Sequence, residues 1–296
     1  MTGNVADQPL TKQKTTVTRR SFLRGSALSV AGLALYSGEV SRHEISIVTQ
    51  AIAVDKLPDA FHNFRIVQIS DIHFDEFTEP AFLRRVLDRV NALQPDLVLL
   101  TGDYISFVPM PKDFVLGAMH RCAEVLRDIA CPQRFAVLGN HDTYLGEPVV
   151  RPILAAVNIP LLVNEHVPIE RDGRRLWLSG IYDPVSGIPD LDLAIPERPD
   201  GPVLLMSHAP DYADQLLTHR RGPLVDVMLS GHTHGGQVRF PFLPAYHLPA
   251  GGHKYVEGLF RLDRLQLYVN RGIGTVGLPF RLNCPPEITL FTLQRA

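Results

Sequence analysis

Residues 65–73 read RIVQISDIH: an apolar run of strand character, followed at once by Asp71 and His73, two residues apart. The pattern recurs down the chain. Residues 96–103 (DLVLLTGD) end in Gly102-Asp103, and residues 134–142 (RFAVLGNHD) end in Gly139-Asn140-His141-Asp142. Residues 203–208 (VLLMSH) end in His208, and residues 225–234 (VDVMLSGHTH) end in Gly231-His232-Thr233-His234. In open α/β sheets the carboxyl ends of neighbouring parallel strands converge on one edge, where ligands bind. Five segments far apart in sequence are therefore expected to meet in space.

Carboxylate, amide oxygen and imidazole are hard to borderline donors that suit Mn, Fe, Zn or Mg. No thiol belongs to the set, which argues against a closed structural zinc. With an extended backbone, the side chains of Asp71 and His73 face one way, and so do those of His232 and His234. Asp103 can bridge two cations, one oxygen to each. Taken singly, each fragment is as readily a turn or a cap. Five of them, each behind an apolar strand, point to a pair of divalent cations.

Working outward, a helix is expected after Thr78 as cap, with Pro80 in its first turn. Phe82, Val86, Val90 and Leu93 share one of its faces. A second helix carries Val115, Met119, Cys122, Leu126 and Ile129 on one stripe. Strand and helix alternate through Leu138 at about thirty residues per unit, which argues parallel pairing. Beyond it lie short strand candidates at 176–181, 203–207, 225–230, 258–261, 265–269 and 287–293, with few helices, as in antiparallel or mixed pairing. The expectation is an α/β fold with two sheets in one domain.

Hydrophobic content of 45% and charged content of 20% are globular proportions. With 29 basic and 31 acidic residues the net charge is −2, so no nucleic-acid groove is expected. Three cysteines exclude a disulfide framework. Residues 1–25 hold five basic residues and one acid, and residues 26–37 (SALSVAGLALYS) are uncharged. Without this segment the chain carries −6. Twelve helical residues span about 18 Å, short of the roughly 30 Å hydrocarbon core. The junction Thr18-Arg19-Arg20-Ser21-Phe22-Leu23-Arg24 resembles a twin-arginine export signal, with Arg24 where Lys is commoner. No clean Ala-x-Ala cleavage site follows, so the segment can stay as a weak anchor.

In their order, D-x-H, G-D, G-N-H-D, H and G-H-x-H resemble the signature of the calcineurin-like metallophosphoesterases, and with the leader and the stretch 268–290 they resemble its twin-arginine-exported bacterial branch. The resemblance implies a four-layer α/β/β/α sandwich of two mixed sheets flanked by helices. It divides the chain into a signal segment, 1–42, and a single metallophosphoesterase domain, 43–296. It implies two divalent metal ions: Asp71, His73 and His234 hold the first, Asn140, His208 and His232 the second, and Asp103 bridges them. His141 faces the leaving group, oriented by Asp142. Purple acid phosphatases place a tyrosine ligand three residues after the bridging Asp. Here that residue is Ser106.

The expected chemistry is hydrolysis of phosphodiester or pyrophosphate-type bonds by in-line attack of a hydroxide shared by the two metals, with His141 assisting the leaving group. A narrower alternative is an envelope-lipid hydrolase acting on a UDP-diacylglucosamine-like or phospholipid headgroup, for which peripheral membrane association and the apolar residues Phe240, Phe242 and Leu243 are suited. A non-catalytic scaffold on the same fold is the remaining alternative. The expected partners are a phosphate ester, lipid-linked in the narrower case, and the twin-arginine export machinery. The expected location is the periplasm or the outer face of the cytoplasmic membrane.

Overall fold

The computed structural model describes residues 18–74, 77–107, 110–245 and 247–296. Lys12, Lys14 and the rest of the leader's first 17 residues lie outside them. Two mixed sheets stack at the centre. The first has the order β1 (Ser46–Val54), β11 (Glu287–Arg295), β2 (Arg65–Ile69), β3 (Leu97–Leu100), β4 (Arg134–Ala136). The second runs β5 (Glu165–Arg171), β6 (Arg174–Gly180), β7 (Val203–Met206), β8 (Val227–Ser230), β10 (Leu265–Val269), β9 (Gly258–Leu262). Helices α2 (Pro80–Ala92), α3 (Lys112–Leu126) and α4 (Glu147–Ala155) cover the first sheet. The short helices α5 (Leu191–Ala194) and α6 (Ala213–Thr218) cover the second.

The period of two along each strand makes the layers. In β3, Val98 and Leu100 point to the helices while Leu97 and Leu99 point to the other sheet. In β7, Leu204 and Met206 face the inter-sheet core while Val203 and Leu205 face α5 and α6. A strand buried on both faces reads as an unbroken apolar run. Phe82, Leu83, Val86, Leu87 and Val90 of α2 are buried, and each such side chain contributes roughly 2 kcal/mol of gross burial.

The parallel core sets the site. β2, β3 and β4 pair in parallel in the first sheet, and β6, β7, β8 and β10 in the second. Their carboxyl ends open on the same edge of the sandwich. The cap of α2 differs from expectation. Glu79 occupies the cap position and its side chain makes no capping bond, so Pro80 at the helix start, not Thr78, marks the beginning. None of the three cysteines is in a disulfide, and all are buried.

The N-terminal helix α1 spans Arg19–Leu35, with the Thr18 side chain accepting the Ser21 N–H, and none of its residues is buried. After it the chain makes a wide turn over Tyr36–Val40 and a tight one over Ser41–His43. Ser37, Gly38 and Ser41 in these turns are buried against the body.

Candidate metal centre

The ligand residues sit on loops directly after the strands, and their backbone is not the extended one expected from the two-residue spacing. Asp71, His73, Asp103, His232 and His234 all have left-handed φ, between 47° and 74°. Such φ costs a non-glycine residue roughly 1–2 kcal/mol. The pairing is what compels it. The N–H groups of Asp71, Ile72, His73 and Phe74 follow the carbonyls of Gly102, Asp103 and Tyr104 at 2.8–3.1 Å. The His232 N–H donates to both oxygens of Asp71 at 3.0 and 2.9 Å. Glycine is required where loops press together. Gly102 has φ +95°, and a Cβ there would strike the Gly139 backbone. A Cβ on Gly139 would strike the Asp103 carboxylate.

All nine residues anticipated for the site gather at this edge. His73 Nε2 lies 3.0 Å from His234 Nε2, and His234 Nε2 lies 3.6 Å from Asp71 Oδ1. His208 Nε2 lies 3.1 Å from His232 Nδ1 and 3.1 Å from Asp103 Oδ2. Asp103 Oδ2 is also 3.6 Å from His73 Nε2. This one oxygen therefore faces both halves of the cluster. Oδ1 accepts the His141 N–H at 2.9 Å. Asn140 and His141 line the same pocket, of about 290 Å³.

The outer ring nitrogens fix the tautomers. His208 Nδ1 donates to Thr101 O at 2.7 Å, and His232 Nε2 donates to Ala250 O at 2.8 Å. His73 Nδ1 meets the Ser106 hydroxyl at 2.8 Å. His141 Nδ1 accepts the Phe107 N–H at 3.2 Å. The Asp142 carboxylate does not orient His141. It accepts three backbone N–H groups, from Asp103, Gly139 and Tyr104, at 2.7–2.9 Å, and so ties two ligand loops together.

Electrostatics follow from burial and proximity. Burial works against an ionised Asp103, but the His208 and His141 imidazoles outweigh it and hold its pKa well below the usual carboxylate range. Burial also opposes a protonated His208, yet Asp103 raises it well above the ordinary histidine value. Burial lowers the other three, and so does the positive charge that a neighbour carries when protonated: His141 beside His73, the Arg281 guanidinium beside His234, and His208 beside His232, which is brought down to about 4. Burial raises Asp71 and, more strongly, Asp142, each further raised by Asp103.

The residues present fit divalent cations. The outer nitrogens of His208 and His232 carry their protons, so once His208 gives up its second proton the two inner nitrogens offer their lone pairs to one cation. The Asn140 Oδ1 is buried without a hydrogen-bond partner, a cost of roughly 1–3 kcal/mol unless something ligates it. The trios Asp71–His73–His234 and Asp103–His208–His232 each bring their donor atoms within 4.8 Å. His141 also brings a ring nitrogen within that distance of His73 and Asp103.

Some contributors carry no motif. Ser106, the Phe107 N–H and the carbonyls of Thr101 and Ala250 position rings, and only Ser106 has a sequence clue, its place three residues after Asp103. His247 is exposed and lines the pocket wall. Arg239 and Arg271, two arginines near the site, pair with Glu257 and Glu287.

The calcineurin-like phosphoesterase family matches residues 64–236 of the chain. A Bacillus subtilis relative, described as the uncharacterized metallophosphoesterase YkuE, is 31% identical, with 94% of this chain and 98% of that protein covered. The Escherichia coli phosphodiesterase YaeI is 30% identical, with 94% and 99% covered. Among solved structures, a dimetal phosphatase from Danio rerio is similar with a TM-score of 0.40 at 13% identity, covering 72% of this chain and 88% of that one.

Proposed function

This chain belongs to the calcineurin-like phosphoesterase family and is a metal-dependent phosphoester hydrolase, and on that premise we propose that it cleaves phosphodiester or pyrophosphate-type bonds at two divalent cations held side by side. Asp71, His73 and His234 hold one cation. Asn140, His208 and His232 hold the other. Asp103 serves both. When bound, such a pair supplies an activated water as nucleophile and neutralises charge developing on the phosphoryl oxygens.

The chain's own groups complete the reaction. The Phe107 N–H occupies His141 Nδ1, so the neutral ring carries its proton on Nε2. His141 is thereby a donor to the leaving oxygen. Asp142, holding the N–H groups of Asp103 and Gly139, keeps the bridging carboxylate and the Asn140–His141 loop in register. The observation that carries the reading is the single Asp103 oxygen facing both imidazole groups. The test is hydrolysis of bis-p-nitrophenyl phosphate by the chelator-stripped protein. Turnover restored by Mn and abolished in Asp103→Asn supports it. No turnover with both ions bound overturns it.

The exposed Phe240, Phe242 and Leu243 near the pocket favour a narrower reading, a substrate that carries an apolar tail, such as a lipid-linked phosphate ester. The proposed location is outside the cytoplasmic membrane after twin-arginine export. Arg19 and Arg20 stand in the first turn of a helix with no buried residue, open to a receptor.

A further inference from the structure

We propose that α1, the turns after it and the apolar lip of the pocket form one surface that seats the mouth of the metal pocket on an anionic lipid bilayer. This deepens the phosphoesterase reading by stating where its substrate lies, at a bilayer surface.

The turns anchor α1 at a defined place. Ser37 O accepts the Arg281 N–H at 3.0 Å, and Gly38 packs so closely on Phe280 that an added Cβ would meet its ring at 3.0 Å. Arg42 donates to Phe77 O at 2.7 Å and pairs with Glu79 at 3.0 Å, and the His43 ring stands edge-on to Phe82 at 5.1 Å. The segment from Ser37 is thus a strap of the folded body. It also reaches the metal centre. The Arg281 side chain is wholly buried, donates to the carbonyls of Arg271, Gly272, Gly274 and Cys284, and lies 3.4 Å from His234 Nδ1.

The strap and the lip border the same short segment. Leu278 lines the pocket and is half exposed, and the strap's contacts begin at the next residue, Pro279. On the other side, the Arg239 N–H donates to Leu282 O at 2.9 Å, and the lip follows directly with Phe240, Phe242 and Leu243. Phe242 is fully exposed and Leu243 is 65% exposed. The base of α1, Leu278 and the lip therefore lie along one rim.

Charge and length select the occupant. No acid lies between Asp7 and Glu39, while Arg19, Arg20 and Arg24 cluster at the start of α1. Basic groups beside exposed Phe22, Leu28, Val30 and Leu33 match phosphate headgroups over acyl chains. No helix among the described residues is long and apolar enough to cross a membrane. Both ends of α1 are also held at the water side, one by arginines and the other by the strap. A helix so constrained lies in the interface and draws the adjoining rim onto it.

The test uses the full Mn-loaded chain with vesicles of phosphatidylglycerol and phosphatidylcholine, and with phosphatidylcholine alone. Binding is expected to the anionic vesicles, to weaken with salt, and to fall about tenfold or more in Leu28→Glu/Leu33→Glu and in Phe242→Asp/Leu243→Asp. Wild-type melting temperature and Mn content are expected in both variants, which shows that they are folded. Absent binding, equal binding to neutral vesicles, or wild-type binding by the lip variant overturns the proposal. Anionic vesicle binding that both variants lose, from a chain without turnover, upholds the docking surface and overturns the phosphoesterase reading instead.

Discussion

The backbone N–H of His141 donates to Asp103 Oδ1 at 2.9 Å, so the residue proposed to face the leaving group is bolted to the residue proposed to serve both cations. The other Asp103 oxygen is left alone to face His73 and His208. Asp142 closes the arrangement from behind by taking the N–H of Asp103. The groups proposed to bind metal and to place the acid therefore belong to one hydrogen-bonded unit, and the substitutions below separate the two roles.

Asp103→Asn keeps an acceptor for the His141 N–H but removes the charge that both imidazole groups share. Cation content is expected to drop in both positions, and diester turnover by at least about a hundredfold. Elemental analysis beside steady-state kinetics checks it. Loss of one ion with the other retained would show that the carboxylate does not serve both.

His141→Ala is expected to keep both cations and lose about 10²–10⁴ in kcat on substrates with poor leaving groups. On p-nitrophenyl esters the loss is expected to be smaller, because that leaving group needs little protonation. An equal loss on both classes would remove the acid role.

The central strands were legible because β2, β3, β7 and β8 are buried on both faces and read as apolar runs. The edges were not. β1 alternates between partly buried and exposed residues, and β5 carries Glu165, Pro168 and Glu170 on a strand open to solvent. α4 was hidden by Pro148 and Pro152, two residues that ordinarily argue against a helix. The ligand types of the site were legible from their places after strands. Their left-handed backbone was not, since loop-to-loop pairing dictates it and Asp or His tolerates it without a signature. Asp142 was expected to orient His141 only because the family resemblance implies it. Its actual partners are main-chain N–H groups, which no sequence displays.

Ser106→Ala removes the hydroxyl that meets His73 Nδ1. The ring then loses its orienting partner while its ligating nitrogen remains. Affinity for the cation held by His73 is expected to fall 10–100-fold, with near-normal kcat restored by excess Mn. Metal titration of activity reads this directly. A kcat deficit that excess Mn does not repair would assign Ser106 to the reaction rather than to the ring.

Proton release on metal binding tests the histidine assignments. Asp103 raises His208 above the ordinary value, whereas His73, His232 and His234 are lowered and already neutral above pH about 6.5. A protonated imidazole cannot ligate, so His208 must lose its proton. At neutral pH, loading is expected to release about one imidazole proton, and affinity to rise with pH until the raised His208 pKa is passed. Calorimetric titration in buffers of different ionisation enthalpy counts the proton. Release of several protons would mean that the three lowered histidines are charged in the cation-free protein.

Asn140→Ala separates stability from ligation. In the cation-free protein the Asn140 Oδ1 is buried without a partner, while the residue's carbonyl still accepts the Thr143 hydroxyl at 2.7 Å. Deleting the amide removes an unsatisfied group whose burial costs roughly 1–3 kcal/mol, and it leaves the loop's main-chain bond intact. The cation-free variant is therefore expected to melt at or above the wild-type temperature. With Mn present the order is expected to reverse, because wild type gains a ligand bond that the variant lacks. Thermal melts with and without Mn decide it. A variant less stable in both conditions would mean that the amide oxygen has a partner in the folded protein, and the case for it as a ligand held ready would fail.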